Sequence, residues 1–221
     1  MENSKGSMAA ISVSLRLARR ALRQNLLSTL VAVFTVSLSG GLFLGAWKTK
    51  QSVKLAFAHS AGGFDAVLGA RGSQLQLVLN ALFHLENSPG NLDWEQYETI
   101  RSHPGVSEAY PFALGDNYLG YRLVGTIPEL FLNHKWKSGK NYQVRSPGRI
   151  FSDSAKEALV GAEVARELGL QLGDRFHPYH GLEYNPDRKH NDIYLVVGIL
   201  EPTGTPTDQV IWIPLRGVQT M

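Results

Sequence analysis

Residues 26–47 read LLSTLVAVFTVSLSGGLFLGAW, an apolar run without one charged side chain. At about 1.5 Å per residue, a helix over this run is roughly 33 Å long, enough to cross a hydrocarbon core of roughly 30 Å. It reads as a membrane span. A buried helix of a soluble protein seldom stays free of charge for so many turns, because one of its faces usually meets water. A cleaved signal peptide is the closer rival, since Ala56-Phe57-Ala58 fits the small-x-small cleavage pattern. The apolar run exceeds the roughly 7 to 15 residues of a signal-peptide core, and Lys48, Lys50 and Lys54 separate it from that tripeptide. An uncleaved anchor is the favoured reading.

Upstream of the span, residues 1–25 form a basic leader. Ile11, Leu15, Ala18 and Leu22 recur at helical spacing, while Arg16, Arg19, Arg20 and Arg23 occupy a neighbouring arc of the same helix. This pattern predicts an amphipathic helix lying in the interface, its arginines toward anionic headgroups, before the chain turns into the bilayer near Gln24-Asn25. An ordinary solvated basic face explains the same residues. Charge close to the span is greater on its N-terminal side, which is expected to put the N-terminus in the cytoplasm and residues 48–221 on the extracytoplasmic side. Inside the span, Ser37, Gly41 and Gly45 fall four residues apart and make one narrow strip of small side chains. Such a strip lets a second transmembrane helix approach closely; a passive run of small residues is the plainer alternative.

The mean hydropathy of −0.12 averages this apolar run with a polar remainder. The net charge of +3 comes largely from the basic residues flanking the span, so it reads as membrane topology and not as a groove for nucleic acid. Without cysteine, the chain has no disulfide, no thiolate metal ligand and no cysteine nucleophile. Once leader and span are set aside, residues 48–221 suffice for one compact core.

Helical pattern is expected to run on from Lys48 to Ser60, where Gly62-Gly63 breaks it. Phe64–Leu68 is expected as a strand, Gln74–His84 as a helix entered at Gly72-Ser73, and Trp94–Ser102 as a second helix after Asp93. Val106–Ala113 and Tyr118–Gly125 are expected to form a hairpin turning at Gly115-Asp116-Asn117. A short helix over Pro128–Leu132, a polar connection over Lys135–Gly148, a strand at Ala158–Val160 and a helix over Ala162–Leu168 stopped by Gly169 follow. Arg175–Tyr179, Ile193–Leu200 and Gln209–Ile213 are the last expected strands. Mixed order of this kind implies an α+β fold: a transmembrane helix followed by a mixed α/β extracytoplasmic domain.

The segments LRLARRALRQN, GGFDAVLGARGSQLQLVLNALFH, PFALGDNYLGYRLVGT and ALVGAEVARELGLQLGD resemble, in this order, the first span and periplasmic core domain of MacB/FtsX-like ABC transporter permeases. The resemblance implies a permease without covalent chemistry, moved by a cytoplasmic ABC ATPase subunit that carries the ATP; no cofactor is expected in this chain. It also implies further permease spans, or a second permease copy, as membrane partners. Family permeases continue into more spans, and the ending at Met221 is therefore expected to mark a fragment, a truncated product or half of a split permease. Cargo is not legible.

The densest set of metal-ligating side chains is His177-Pro178-Tyr179-His180-Gly181-Leu182-Glu183, followed by Asp187, His190 and Asp192. Imidazoles suit a borderline ion such as zinc, so His177, His180 and His190 are the candidate ligands, and a membrane-tethered module for a metal or small ligand is the alternative function. A polar hairpin loop accounts for the same composition. No Gly-x-Ser-x-Gly elbow, His-Glu-x-x-His or paired-acid motif is present, and no enzyme is expected. Trp94, Tyr97, Trp136, Tyr142 and Trp212 read as packing residues and not as a stacking platform for bases.

Overall fold

A computed structural model describes residues 16–60, 62–137 and 139–220. The chain divides into two compact units, Met1–Leu55 and Ala56–Met221. In the first, residues 16–24 are helical, Asn25 is a turn residue, and a helix runs over Leu26–Ser60. The turn expected near Gln24-Asn25 is thus slight: the Asn25 N–H donates to the Ala21 carbonyl and the Thr29 N–H to that of Asn25, both at 3.0 Å. Ile11 and Leu15 of the expected amphipathic face lie outside the described residues.

The helix is long and apolar enough over Leu26–Ser52 to cross a membrane. Its large side chains, among them Leu30, Phe34, Leu38, Leu42 and Phe43, are exposed along the whole run. So much apolar surface is stable only in an apolar surrounding. Both threonine hydroxyls of residues 26–47 are satisfied locally, as lipid requires: that of Thr29 donates to the Asn25 carbonyl at 2.9 Å and that of Thr35 to the Val31 carbonyl at 2.8 Å.

The second unit is built on a seven-stranded mixed sheet. Its strands are β1 (Ala113–Tyr118), β2 (Tyr121–Thr126), β5 (Glu157–Val160), β6 (Arg175–Phe176), β7 (Tyr179–His180), β8 (Tyr194–Ile199) and β9 (Val210–Pro214), in the order β6-β8-β5-β9-β2-β1-β7. Strands β3 (Lys135–Lys137) and β4 (Lys140–Asn141) form a separate small ribbon within the polar connection. Pairing is parallel for β2 with β9 and for β5 with β8, and antiparallel elsewhere in the large sheet. Only His177 and Pro178 separate β6 from β7, yet these two strands lie on opposite edges. The sheet must curl to bring those edges within reach of so short a link.

Both faces of the central strands are buried, which explains their unbroken apolar reading. Along β9, Ile211 and Ile213 join one core cluster with Leu123, Val160, Val164 and Tyr194, while Val210 and Trp212 join the other with Val124, Phe131, Phe151 and Leu159. The period of two that alternates side chains across a strand divides the residues between the clusters.

Helices Gln74–Ala81, Trp94–Arg101, Glu129–Asn133, Ala162–Leu168 and Leu215–Thr220 complete the unit. The Ser73 hydroxyl accepts from the Gln76 N–H at 3.4 Å, as an N-cap should. Gly169 ends the helix Ala162–Leu168 in the left-handed conformation, φ +66°, which a residue without Cβ adopts at no steric cost.

Four local expectations fail. The strand expected over Val106–Ala113 is irregular backbone up to residue 112, where Tyr110 and Phe112 pack edge-on against Phe64 and Trp212 instead of joining the sheet, and β1 begins only at Ala113. Phe64–Leu68 is not a strand; the Phe64 ring instead stacks on the His134 ring at 4.2 Å, edge-on to Phe112, and this packing takes the place of a sheet partner. The hairpin turns not at Gly115-Asp116-Asn117 but at Leu119-Gly120, with φ +50° and +88°, a two-residue turn whose twist matches that of the strands. Arg175–Tyr179 is not one strand but two, because Pro178 has no N–H to give to a ladder and the chain changes edges there.

Candidate functional site

Moving the turn to Leu119-Gly120 leaves Gly115, Asp116 and Asn117 inside β1. Gly115 forms a bulge, since the pairing with β2 slips between Leu114 and Asp116. Bulges re-aim the side chains beside them. Asp116 is the direct cross-strand partner of His180 on β7, and Asn117 that of Tyr179.

The segment after β7 is tied back to the sheet at several points. The Gly181 N–H donates to the Gly115 carbonyl at 3.0 Å and the His190 N–H to the Pro178 carbonyl at 2.9 Å. Asn117, fully buried, directs its amide nitrogen at the carbonyls of Tyr179, Gly181 and Glu183, at 3.2, 2.9 and 3.1 Å. Its amide oxygen accepts from the Gly120 N–H at 3.2 Å, so one side chain holds both the hairpin turn and the histidine loop. This is an ordered scaffold and not a loose surface loop.

These ties bring His180 and His190 onto Asp116. His180 Nδ1 lies 3.2 Å and His190 Nε2 3.4 Å from the same carboxylate oxygen, Asp116 Oδ1. The imidazole rings are 5.7 Å apart at 74°. Asp116 is 5 % exposed, His190 19 % and His180 66 %, so the cluster has a buried floor and one open side. Among the described residues these three form the group whose donor atoms, one from each, all lie within 4.8 Å of one another.

His177, expected as a third ligand, is not in this group. Its Nδ1 faces the His190 carbonyl at 3.2 Å, where it orients the neighbouring backbone. Asp116 takes the place given to it by the sequence reading. Of the other polar residues in the stretch, Asp192 forms an ion pair with Lys156, and the backbone N–H of Asp187 donates to the Asn185 side chain. A pair of tyrosines flanking a two-residue loop, Tyr118-Leu119-Gly120-Tyr121, was the signal that could have placed the turn correctly and kept Asp116 in the strand.

The remaining candidates sit on the first unit. Arg16, Arg19, Arg20 and Arg23 are all exposed within the helical residues 16–24. Ser37, Gly41 and Gly45 lie on the exposed span, and a Cβ built on Gly41 or Gly45 meets no atom within 4 Å. Of the aromatic residues, Trp212 and Tyr142 are core residues, whereas Trp94 stays exposed and packs on Tyr97 at 4.7 Å.

Comparison with curated proteins finds no match. Comparison with protein families finds one: the MacB-like periplasmic core domain, over residues 25–221, from the head of the span to the end of the last helix. The chain therefore belongs to the MacB-like periplasmic core domain family, which points to the ABC-type transporter permeases.

Proposed function

We propose that the chain is a permease subunit, or the N-terminal portion of one, which receives motion from a cytoplasmic ABC ATPase and passes it to an extracytoplasmic domain. The observation that carries this reading is the family match, which covers the span and the domain together. ATP is bound and hydrolysed on the partner subunit, and the chain performs no covalent chemistry. The basic leader lies on the cytoplasmic face of the inner membrane, and the sheet domain on the other side.

A second feature suits the role. The helix Leu26–Ser60 has 35 residues and is about 52 Å long at 1.5 Å per residue, well beyond the roughly 30 Å of a hydrocarbon core. A continuous helix transmits displacement along its axis, which a flexible linker does not. The helix ends at Ser60, and Gly62 and Gly63 beyond it are both at positive φ, a conformation open to residues without Cβ.

Mild-detergent purification of the intact chain from its native membrane tests the assignment. An ABC ATPase and further membrane spans are expected to co-purify. Replacing Gly41 and Gly45 together by leucine is expected to lower that recovery at least tenfold, because the new side chains hold helix backbones apart. Recovery of the chain alone, with no ATPase, contradicts the proposal.

A further inference from the structure

We propose that Asp116, His180 and His190 form a binding site for a divalent transition ion of the zinc class, with one coordination position open to solvent. The inference goes beyond the transport reading and does not depend on it.

Geometry is the first argument. Tetrahedral zinc with bonds of about 2.0–2.1 Å holds its donor atoms about 3.3 Å apart. His180 Nδ1 and His190 Nε2 lie 3.2 and 3.4 Å from Asp116 Oδ1, and all three donors fall within 4.8 Å. Side-chain rotations alone can close the triangle, because the backbone already pairs Asp116 with His180 and ties His190 to Pro178.

Unmet chemistry is the second. The Asp116 carboxylate is 5 % exposed; His180 Nδ1 is within hydrogen-bond reach of its Oδ1 at 3.2 Å, but among the described residues no lysine or arginine forms an ion pair with it. A buried carboxylate requires a compensating charge or a full set of donors. His190 Nε2 is buried and has no hydrogen-bond partner, although it stands beside that carboxylate. A hydrogen-bonded His–Asp–His cluster would use that nitrogen as a donor; a metal would use it as a ligand and supply the missing positive charge.

The donor set selects the ion. Two imidazoles with one carboxylate suit zinc and its neighbours, whereas magnesium and calcium prefer oxygen throughout. The backbone that carries His190 is also held, since its carbonyl lies 3.2 Å from His177 Nδ1. His180, the exposed member, leaves the fourth position facing water, the arrangement of a site that exchanges its ion or accepts a donor from another molecule.

The test uses the intact chain in detergent, stripped with a chelator and titrated with zinc ion alone against a chromophoric chelator. One zinc per chain is expected, retained against a thousandfold excess of magnesium. His180→Ala, which alters an exposed side chain, and Asp116→Asn, which keeps the shape of the buried one, should each weaken binding at least tenfold with the near-ultraviolet circular dichroism unchanged. X-ray absorption of the zinc-loaded chain should show two imidazoles in the shell. Absence of stoichiometric zinc binding overturns the proposal, as does undiminished binding in correctly folded His180→Ala or Asp116→Asn, which would mean an adventitious ion only.

Discussion

Gly161→Ala is expected to destabilise the sheet domain by about 3 kcal/mol, the upper part of the range for overpacking a close-packed interior. Gly161 joins β5 to the helix Ala162–Leu168 and donates its N–H to the Val210 carbonyl at 3.0 Å. A Cβ there would stand 2.4 Å from the carbonyl oxygen of Asp208 and 2.7 Å from that of Thr207. Neither obstacle is a flexible side chain. The loop that carries them is fixed, because the Asp208 carboxylate accepts from the Thr203 and Gly204 N–H groups at 2.9 and 2.7 Å, and the Trp212 indole donates to the Thr207 carbonyl at 3.3 Å. Space can be made only by moving the loop off the helix or by breaking this cap. Urea unfolding of the intact protein should show the midpoint lowered by about 1.5 M, taking a slope of about 2 kcal/mol per molar. Gly169→Ala is the control: nothing lies within 4 Å of its Cβ, and only its positive φ opposes alanine, at about 1 kcal/mol. A Gly161→Ala protein no less stable than Gly169→Ala would refute this account of the close approach.

Acidification supplies the second large effect. His84 is buried, its ring edge-on to Trp212 at 5.8 Å and close to Phe112. Burial, assisted by the nearby Arg122 guanidinium and opposed by a hydrogen bond to the Asn80 backbone, lowers its pKa from 6.5 to about 4. Above pH 6.5 the ring is neutral in both folded and unfolded chains, and stability is at its full value. As pH falls below 6.5 the unfolded chain takes up a proton that the folded one refuses, so stability declines until about pH 4, where the folded ring also protonates. At 1.36 kcal/mol per unit, the loss is about 3 kcal/mol, a large part of a domain stability of roughly 5 to 15. Other titrating groups contribute to any measured curve, so the comparison is with His84→Asn, which removes the titration and tolerates the φ of +56° found there. The decline between pH 6.5 and 4 should be smaller in the variant by that amount; equal slopes would mean that His84 does not titrate as its burial requires.

How far the fold could be read in advance depended on whether each signal was local. The span needed only its own length and absence of charge. Ser73 and Gly169 marked helix ends because capping is decided within a few residues. Strands β5, β8 and β9 showed as apolar runs because both faces of the sheet are covered. Most of the failures were matters of long-range partnership; the hairpin turn alone left a local signal, in the two tyrosines that flank Leu119-Gly120. Nothing in Phe64–Leu68 says that its aromatic ring stacks on His134 instead of joining a sheet. Gly115-Asp116-Asn117 has the composition of a turn, yet a bulge absorbs the glycine, and the asparagine spends its side chain on three carbonyls more than sixty residues downstream.

That error decided what could be seen of the candidate site. His180 and His190 were legible as a pair of ligand-type residues in a polar stretch, but the carboxylate between them was assigned to a distant turn. Only the pairing of β1 with β7 brings Asp116 there, and that pairing exists because the chain switches edges at His177-Pro178. A sequence read for local periodicity has no access to such a contact; it placed His177, close in the chain, where Asp116 belongs.

On the proposed topology, the uncharged run of residues 26–47 anchors a folded domain on the extracytoplasmic side of the membrane. Because the chain contains no cysteine, single cysteines can report its sidedness without background. Arg20→Cys and Glu95→Cys, both at exposed positions, would be treated in intact spheroplasts with a maleimide that cannot cross membranes. Labelling of the residue 95 variant in intact spheroplasts, with the residue 20 variant reacting only after lysis, is the expected result; the reverse pattern, or a reagent that reaches neither until lysis, would contradict it.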